Sequence, residues 1–208
     1  MIYCGVIMVK LISVSLMKIN YLSFIFWLLP FLLTAQLEQF DRSSVLIVRL
    51  QSNRNKIEAL EKKIELNASD DNVKQQLERI KLETDIRNKL IINAFVNYFD
   101  YAEVVFIYDT ASTALKNGNW EGLLFDKDLQ NSNLSLAERT FLVVSENVAS
   151  TSMEGLILMN PDLVRVAHQQ LKFTKINTFF LQSRERIFER AVDKFNKRFY
   201  KYLPISLN

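Results

Sequence analysis

Residues 37–99 read LEQFDRSSVLIVRLQSNRNKIEALEKKIELNASDDNVKQQLERIKLETDIRNKLIINAFVNYF, and no Gly or Pro lies between Pro30 and Gly118. Nothing in this interval breaks a helix. Ile57, Leu60 and Ile64 recur at steps of three and four with Glu58, Glu61, Lys62, Lys63 and Glu65 on the other faces, which predicts an amphipathic helix. Val73, Leu77, Ile80, Thr84, Ile91 and Phe95 repeat that spacing in a second helix. Between the two, Asn67-Ala68-Ser69-Asp70-Asp71-Asn72 offers short polar side chains that compete for backbone hydrogen bonds and cap a new start. A short connection favours antiparallel neighbours. Residues 36–99 are therefore read as a coiled-coil-like helical hairpin, with one continuous helix as the competing reading. Leu46, Ile47, Val48 and Leu50 give the first helix an apolar start, and Leu90 to Phe99 give the second an apolar finish. The hairpin is thus expected to be rooted at those ends, with its polar tip, at Asn67, Asp70 and Asp71, free to meet a partner.

Outward from the hairpin on its N-terminal side, residues 1–35 hold Lys10 and Lys18, no acidic side chain, and an almost wholly apolar run from Tyr21 to Leu33. With Thr34-Ala35-Gln36 following, this pattern predicts a signal peptide cleaved after Ala35, with Met17 as the natural start and 1–16 an upstream extension. The alternative is a membrane anchor over residues 19–34, although that run is shorter than the ~20 residues of a usual span. The expected compartment is periplasmic or extracellular. Cys4 is the only cysteine, so cleavage leaves no thiol for disulfides, catalysis or metal binding. Cleavage also lowers the net charge from +3 to +1 through loss of Lys10 and Lys18. That balance supplies no general attraction to nucleic acid.

On the C-terminal side, residues 100–208 predict a small α+β domain. Val104 to Tyr108 is a β-branched and aromatic strand. Asp109-Thr110 caps a short helix, Ala111 to Lys116, which Asn117-Gly118 ends. Trp120 to Phe125 and Phe141 to Val144 read as strands. Leu156 to Met159, the turn Asn160-Pro161-Asp162, and Leu163 to Val166 read as a β-hairpin. His168 to Phe180 shows no clean period and stays strand or loop. Phe188, Ala191, Val192, Phe195, Phe199 and Tyr202 form the stripe of a C-terminal amphipathic helix closed by Pro204. The fold class is α+β: a signal segment, a long antiparallel helical hairpin, and a mostly antiparallel sheet of four or five strands with a terminal helix.

The chemistry on offer is sparse. His168 is the single histidine, and without cysteines or an HExxH spacing it predicts no metal site and no cofactor. The few glycines build neither a P-loop nor a GxGxxG turn, and no GxSxG elbow is present. The most suggestive polar cluster is Asp109, Thr110, Ser112 and Thr113, at a strand-to-helix junction where backbone N–H groups and hydroxyls can face an anion. Asp109 would oppose that anion and is explained at least as well as a cap. Asp126 and Asp128 lack the Gly and distal Glu of a calcium loop and read as a solvated turn. Arg184, Arg186, Arg190, Lys194, Lys197, Arg198 and Lys201 make the last helix basic, a surface that an anionic membrane or partner can meet, while Glu185, Glu189 and Asp193 offer pairs within the helix.

The resulting expectation is an exported, non-enzymatic structural or interaction protein whose hairpin serves assembly or partner binding. Two alternatives stand beside it. One is a small-ligand or anion-binding protein, or a hydrolase, using the strand end at Asp109–Thr113. The other rests on export, length and helices, in which the chain resembles the periplasmic chaperones that cradle unfolded outer-membrane proteins; no motif carries that resemblance, and the near-neutral mature charge departs from their basic character.

Overall fold

The computed structural model describes residues 39–66, 70–148, 154–176 and 183–203; the expected signal segment lies outside them. Its centre is a strand, β1 (Val45–Leu50), in which every residue but Arg49 is buried. β1 pairs in parallel with β2 (Glu103–Tyr108) on one side and with β3 (Phe141–Val148) on the other. Val48 thus faces Phe106 and Val144 across the ladders. β4 (Glu154–Met159) runs antiparallel to β3, and β5 (Phe173–Lys175) antiparallel to β4, giving the order β2-β1-β3-β4-β5. Two sequence expectations are corrected here. Leu46 to Leu50 does not begin a helix, and the sheet is mixed rather than mostly antiparallel. The physical reason is burial on both faces: a strand covered above and below needs a continuous apolar run rather than alternation. Residues 36–99 and 100–208 consequently share one sheet.

The hairpin itself starts at Arg54. α1 (Arg54–Leu66) packs against α2 (Asp71–Tyr98), with Leu60 and Leu77 buried between them and Lys81 paired to Glu61 at 3.1 Å. Asp70 caps α2 by accepting the Val73 N–H at 3.2 Å; Asn67 lies outside the described residues. The 28 residues of α2 span about 42 Å at the usual rise, so its first half extends beyond the part that covers the sheet.

The second half of α2 and α4 (Arg184–Tyr202) cover one face of the sheet. Ser183 starts α4 by accepting the Arg186 N–H at 3.4 Å. The stripe expected from its period is buried at Phe188, Ala191, Val192, Phe195 and Phe199. Phe199 meets Phe40, Phe99 and Tyr101 edge-on with ring centroids 5.3–5.6 Å apart, and each such ring contributes roughly 1.5–3 kcal/mol by leaving water. The opposite face, with Val45, Ile47, Val105, Ile107 and Val143, is covered by the segment between β2 and β3. That segment holds a 3-10 turn, Asp109–Ala111, a short helix α3 (Ser112–Lys116), and the buried Leu124 and Leu136.

Three further expectations change. Trp120 to Phe125 is no strand: it forms turns that close with Phe125 bridged to Phe106 and Asn131. Leu163 to Val166 meets β4 at a single bridge, Arg165 with Met159. β5, from the ambiguous stretch, supplies the outer strand instead. Its Phe173 ring lies directly on Gly155, where a Cβ would also come within 2.8 Å of the Thr174 carbonyl oxygen.

Candidate functional site at the carboxyl ends of the parallel strands

The chain leaves β1 through Gln51, Ser52 and Asn53, and each of these residues is held by a side chain from another element. The Gln51 N–H donates to Asn88 Oδ1 at 3.2 Å, while Asn88 Nδ2 donates to the Gln51 carbonyl at 2.8 Å. Asn88 is itself buried on α2. The Ser52 N–H donates to Asp109 Oδ1 at 3.0 Å. Asn53 Nδ2 donates to Thr84 Oγ1 at 2.8 Å, and that hydroxyl donates on to the Ile80 carbonyl at 2.6 Å. Asn53 takes φ +50°, the left-handed region that Asn tolerates better than most residues. Its carbonyl then accepts the Lys56 and Ile57 N–H groups, both at 3.0 Å, and so begins α1. The ties to Gln51 and Ser52 hold the turn in place, because loss of either leaves a backbone polar group without its partner.

This turn divides two depressions. On the side of β2 lies a crevice of about 400 Å³ lined by Arg49, Ser52, Arg54, Lys56, Asp109 and Thr110. Arg49 Nε is buried there and has no hydrogen-bond partner among the described residues. On the side of α2 and α4 lies a larger cleft of about 460 Å³. Leu90 on α2, Ile176 after β5, and Ile187 and Phe188 on α4 give it an apolar wall. Its charged groups are Lys56, Glu83, Arg87, Glu154 and Arg184. Arg87 grips Glu146 through two bonds of 2.7 and 2.6 Å and reaches Glu154 at 3.5 Å. The Glu146 side chain is only 2% exposed, so this bidentate pair is what makes its burial tolerable. The bonds to Glu146 raise the Arg87 pKa against the opposing effect of burial, which keeps the guanidinium charged.

Of the residues singled out from sequence, Asp109 and Thr110 share the smaller crevice, and the others lie apart from it or serve the backbone. Asp109 does not cap its own helix: the turn from Asp109 has no side-chain cap, and its carboxylate holds Ser52 instead. Thr110 lines the smaller crevice beside it. Ser112 Oγ donates to the Asp109 carbonyl at 2.6 Å, and Thr113 is exposed on α3. At the hairpin, Asp70 is the cap of α2 and Asp71 pairs with Lys74 at 3.2 Å. Asp126 Oδ1 accepts the Asp128 and Gln130 N–H groups, both at 2.9 Å, within its own loop. The His168 ring packs against Tyr202.

Reasoning from sequence missed Asn53, Lys56, Arg87 and Asn88, and placed Arg184 on the basic exterior of the last helix without linking it to a cleft. The available signal was Ser52-Asn53-Arg54-Asn55 directly after an apolar β-branched run, a strand–turn–helix junction. Among the described residues, no helix is long and apolar enough to cross a membrane, and no three His, Cys, Asp or Glu side chains gather in a way that could hold a metal ion. Comparison with protein-family models, with curated proteins and with solved structures finds no match to this chain.

Proposed function

We propose that this is an exported, non-enzymatic interaction protein whose α1–α2 hairpin is the contact element. The observation that carries this reading is apolar exposure on the hairpin: Leu66 is 81% exposed at the end of α1, and Leu82 is 60% exposed on α2. An arm that buries mainly Leu60 and Leu77 within itself gains by covering such side chains against another surface. Its charges support contact between helices, since Arg79 with Glu83 and Lys89 with Asp85 already pair along α2 and leave the apolar positions as the unsatisfied feature. Work by contact rather than by chemistry agrees with the ties of Asp109 and Ser112, both of which serve the backbone.

The test is light scattering on the full chain, with a photo-crosslinking amino acid placed at 66 or 82. Association or crosslinking that disappears in Leu66→Glu/Leu82→Glu, with circular dichroism unchanged, is the expected result. A strictly monomeric chain that crosslinks to nothing in envelope extract sinks the proposal. Suppressed aggregation of an unfolded outer-membrane protein, abolished by the same double variant, would narrow the role to holding unfolded clients.

A further inference from the structure

The cleft between α2 and α4 is independent of the exposed arm positions and has its own chemistry. Both carboxylates on its wall are already engaged, Glu83 with Arg79 at 2.9 Å and Glu154 with Arg87 at 3.5 Å. Arg87 is committed to Glu146. Lys56 and Arg184 remain, and neither has an ion-pair partner among the described residues. They come from different helices and line the same cavity. Because Arg87 is shared between Glu146 and Glu154, the four cations Arg79, Arg87, Lys56 and Arg184 exceed the three carboxylates by one charge, and the surplus is cationic. The same cavity has an apolar wall of Leu90, Ile176, Ile187 and Phe188, and Ile86, 43% exposed, also lines it. A volume of about 460 Å³ falls within the range of cavities that take small molecules, which combine an apolar lining with a few placed polar groups.

We infer that the cleft binds an amphipathic carboxylate, its apolar body on the Leu90–Phe188 wall and its anionic head between Lys56 and Arg184. The placement follows from charge: a neutral apolar ligand would make no use of the two cations, and a cationic one would face them as like charges. Lys56 and Arg184 also lie in the first turns of their helices, where the helix dipole adds to their pull on an anion. Lys56 lies in the first turn of α1, just after Asn53, so the ties from Thr84, Asn88 and Asp109 fix the backbone from which its side chain extends. Such preorganisation reduces the ordering that binding would otherwise require.

The experiment uses the full chain and a diazirine-bearing dodecanoate, with labelled peptides identified by mass spectrometry. Label is expected on α2 between Ile80 and Leu90 and on α4 between Arg184 and Phe188. Unlabelled dodecanoate should compete it away, while dodecyltrimethylammonium should not. In Lys56→Gln/Arg184→Gln, label at these two segments should fall at least about tenfold, the effect of losing one good polar anchor. Both substituted side chains are exposed, so the variant retains the fold, and circular dichroism checks this. Label confined to other segments, equal competition by the cationic amphiphile, or unchanged labelling of the double variant would each overturn the inference. Because Leu66 and Leu82 lie outside the cleft, Leu66→Glu/Leu82→Glu should label like the parent, which separates failure here from failure of the interaction proposal.

Discussion

The carboxylate of Asp109 accepts the backbone N–H of Ser52 at 3.0 Å across 57 residues of sequence. It ties the exit of β1 to the exit of β2, two neighbouring parallel strands that no local turn can join. Asp109→Ala should lower stability by about 1.5–3 kcal/mol, the range for a hydrogen bond to a charged group. Urea denaturation midpoints measure this. An effect below a few tenths of a kcal/mol would show that water replaces the carboxylate.

Asn88 makes the corresponding tie from α2, with two bonds to the Gln51 backbone. Asn88→Leu keeps the branched shape of the side chain, with larger methyl groups, and leaves a half-buried donor and acceptor of Gln51 unpaired. A loss of about 2–3 kcal/mol is expected, together with faster amide exchange at Gln51 and Ser52. Slow exchange in the variant would contradict the role assigned to Asn88.

Asn53 separates backbone strain from side-chain bonding. Asn53→Ala should lose the bond to Thr84 and also force alanine into φ +50°, for a combined cost of about 2–3 kcal/mol. Asn53→Gly loses the bond and relieves the strain, so it should be the milder change by about 1 kcal/mol. Thermal melts of the two variants decide this, and the reverse order would refute the assignment.

Gly155 admits no side chain because the Phe173 ring and the Thr174 carbonyl occupy that space. Gly155→Ala should push β5 off β4 and cost about 1–3 kcal/mol. The double variant Gly155→Ala/Phe173→Ala should recover part of the steric penalty, read as non-additivity in a double-mutant cycle.

Tyr101 sets a limit at high pH. Its burial first, and the nearby Asp41 second, raise the phenol pKa above its ordinary value, so the fold retains the neutral form. Stability from this source is complete below roughly pH 10 and declines as pH climbs from there toward the raised folded value. Tyr101→Phe should flatten the alkaline arm of the stability curve while surrendering only a long 3.4 Å bond to the Leu203 carbonyl. An unchanged alkaline arm would place the titration in other tyrosines.

Local pattern was enough for α4. Phe188, Val192, Phe195 and Phe199 repeat at helical spacing, Ser183 supplies the cap, and the structure buries that same stripe. The facing segments of the hairpin were legible for the same reason, since Leu60 and Leu77 sit on sequence-local periods. The sequence offered Ser69, Asp70 or Asp71 as the cap of α2, and Asp70 is the one that accepts the Val73 N–H. The candidate cleft was not legible. Lys56, Arg87 and Arg184 stand 31 and 97 residues apart along the chain, and no spacing rule links them.

The sequence by itself determined which stretches could form helices, because a helix closes its hydrogen bonds within four residues and shows its buried face as a period. It misplaced Leu46–Leu50 at the start of the first helix, since the five apolar residues of Val45–Leu50 fit a buried helical turn as well as a central strand. Only the tertiary structure settled that choice. The N–H and C=O groups of β1 find their partners in β2 and β3, 58 and 96 residues further on, and that pairing brings the Gln51–Asn53 turn to the mouth of the cleft.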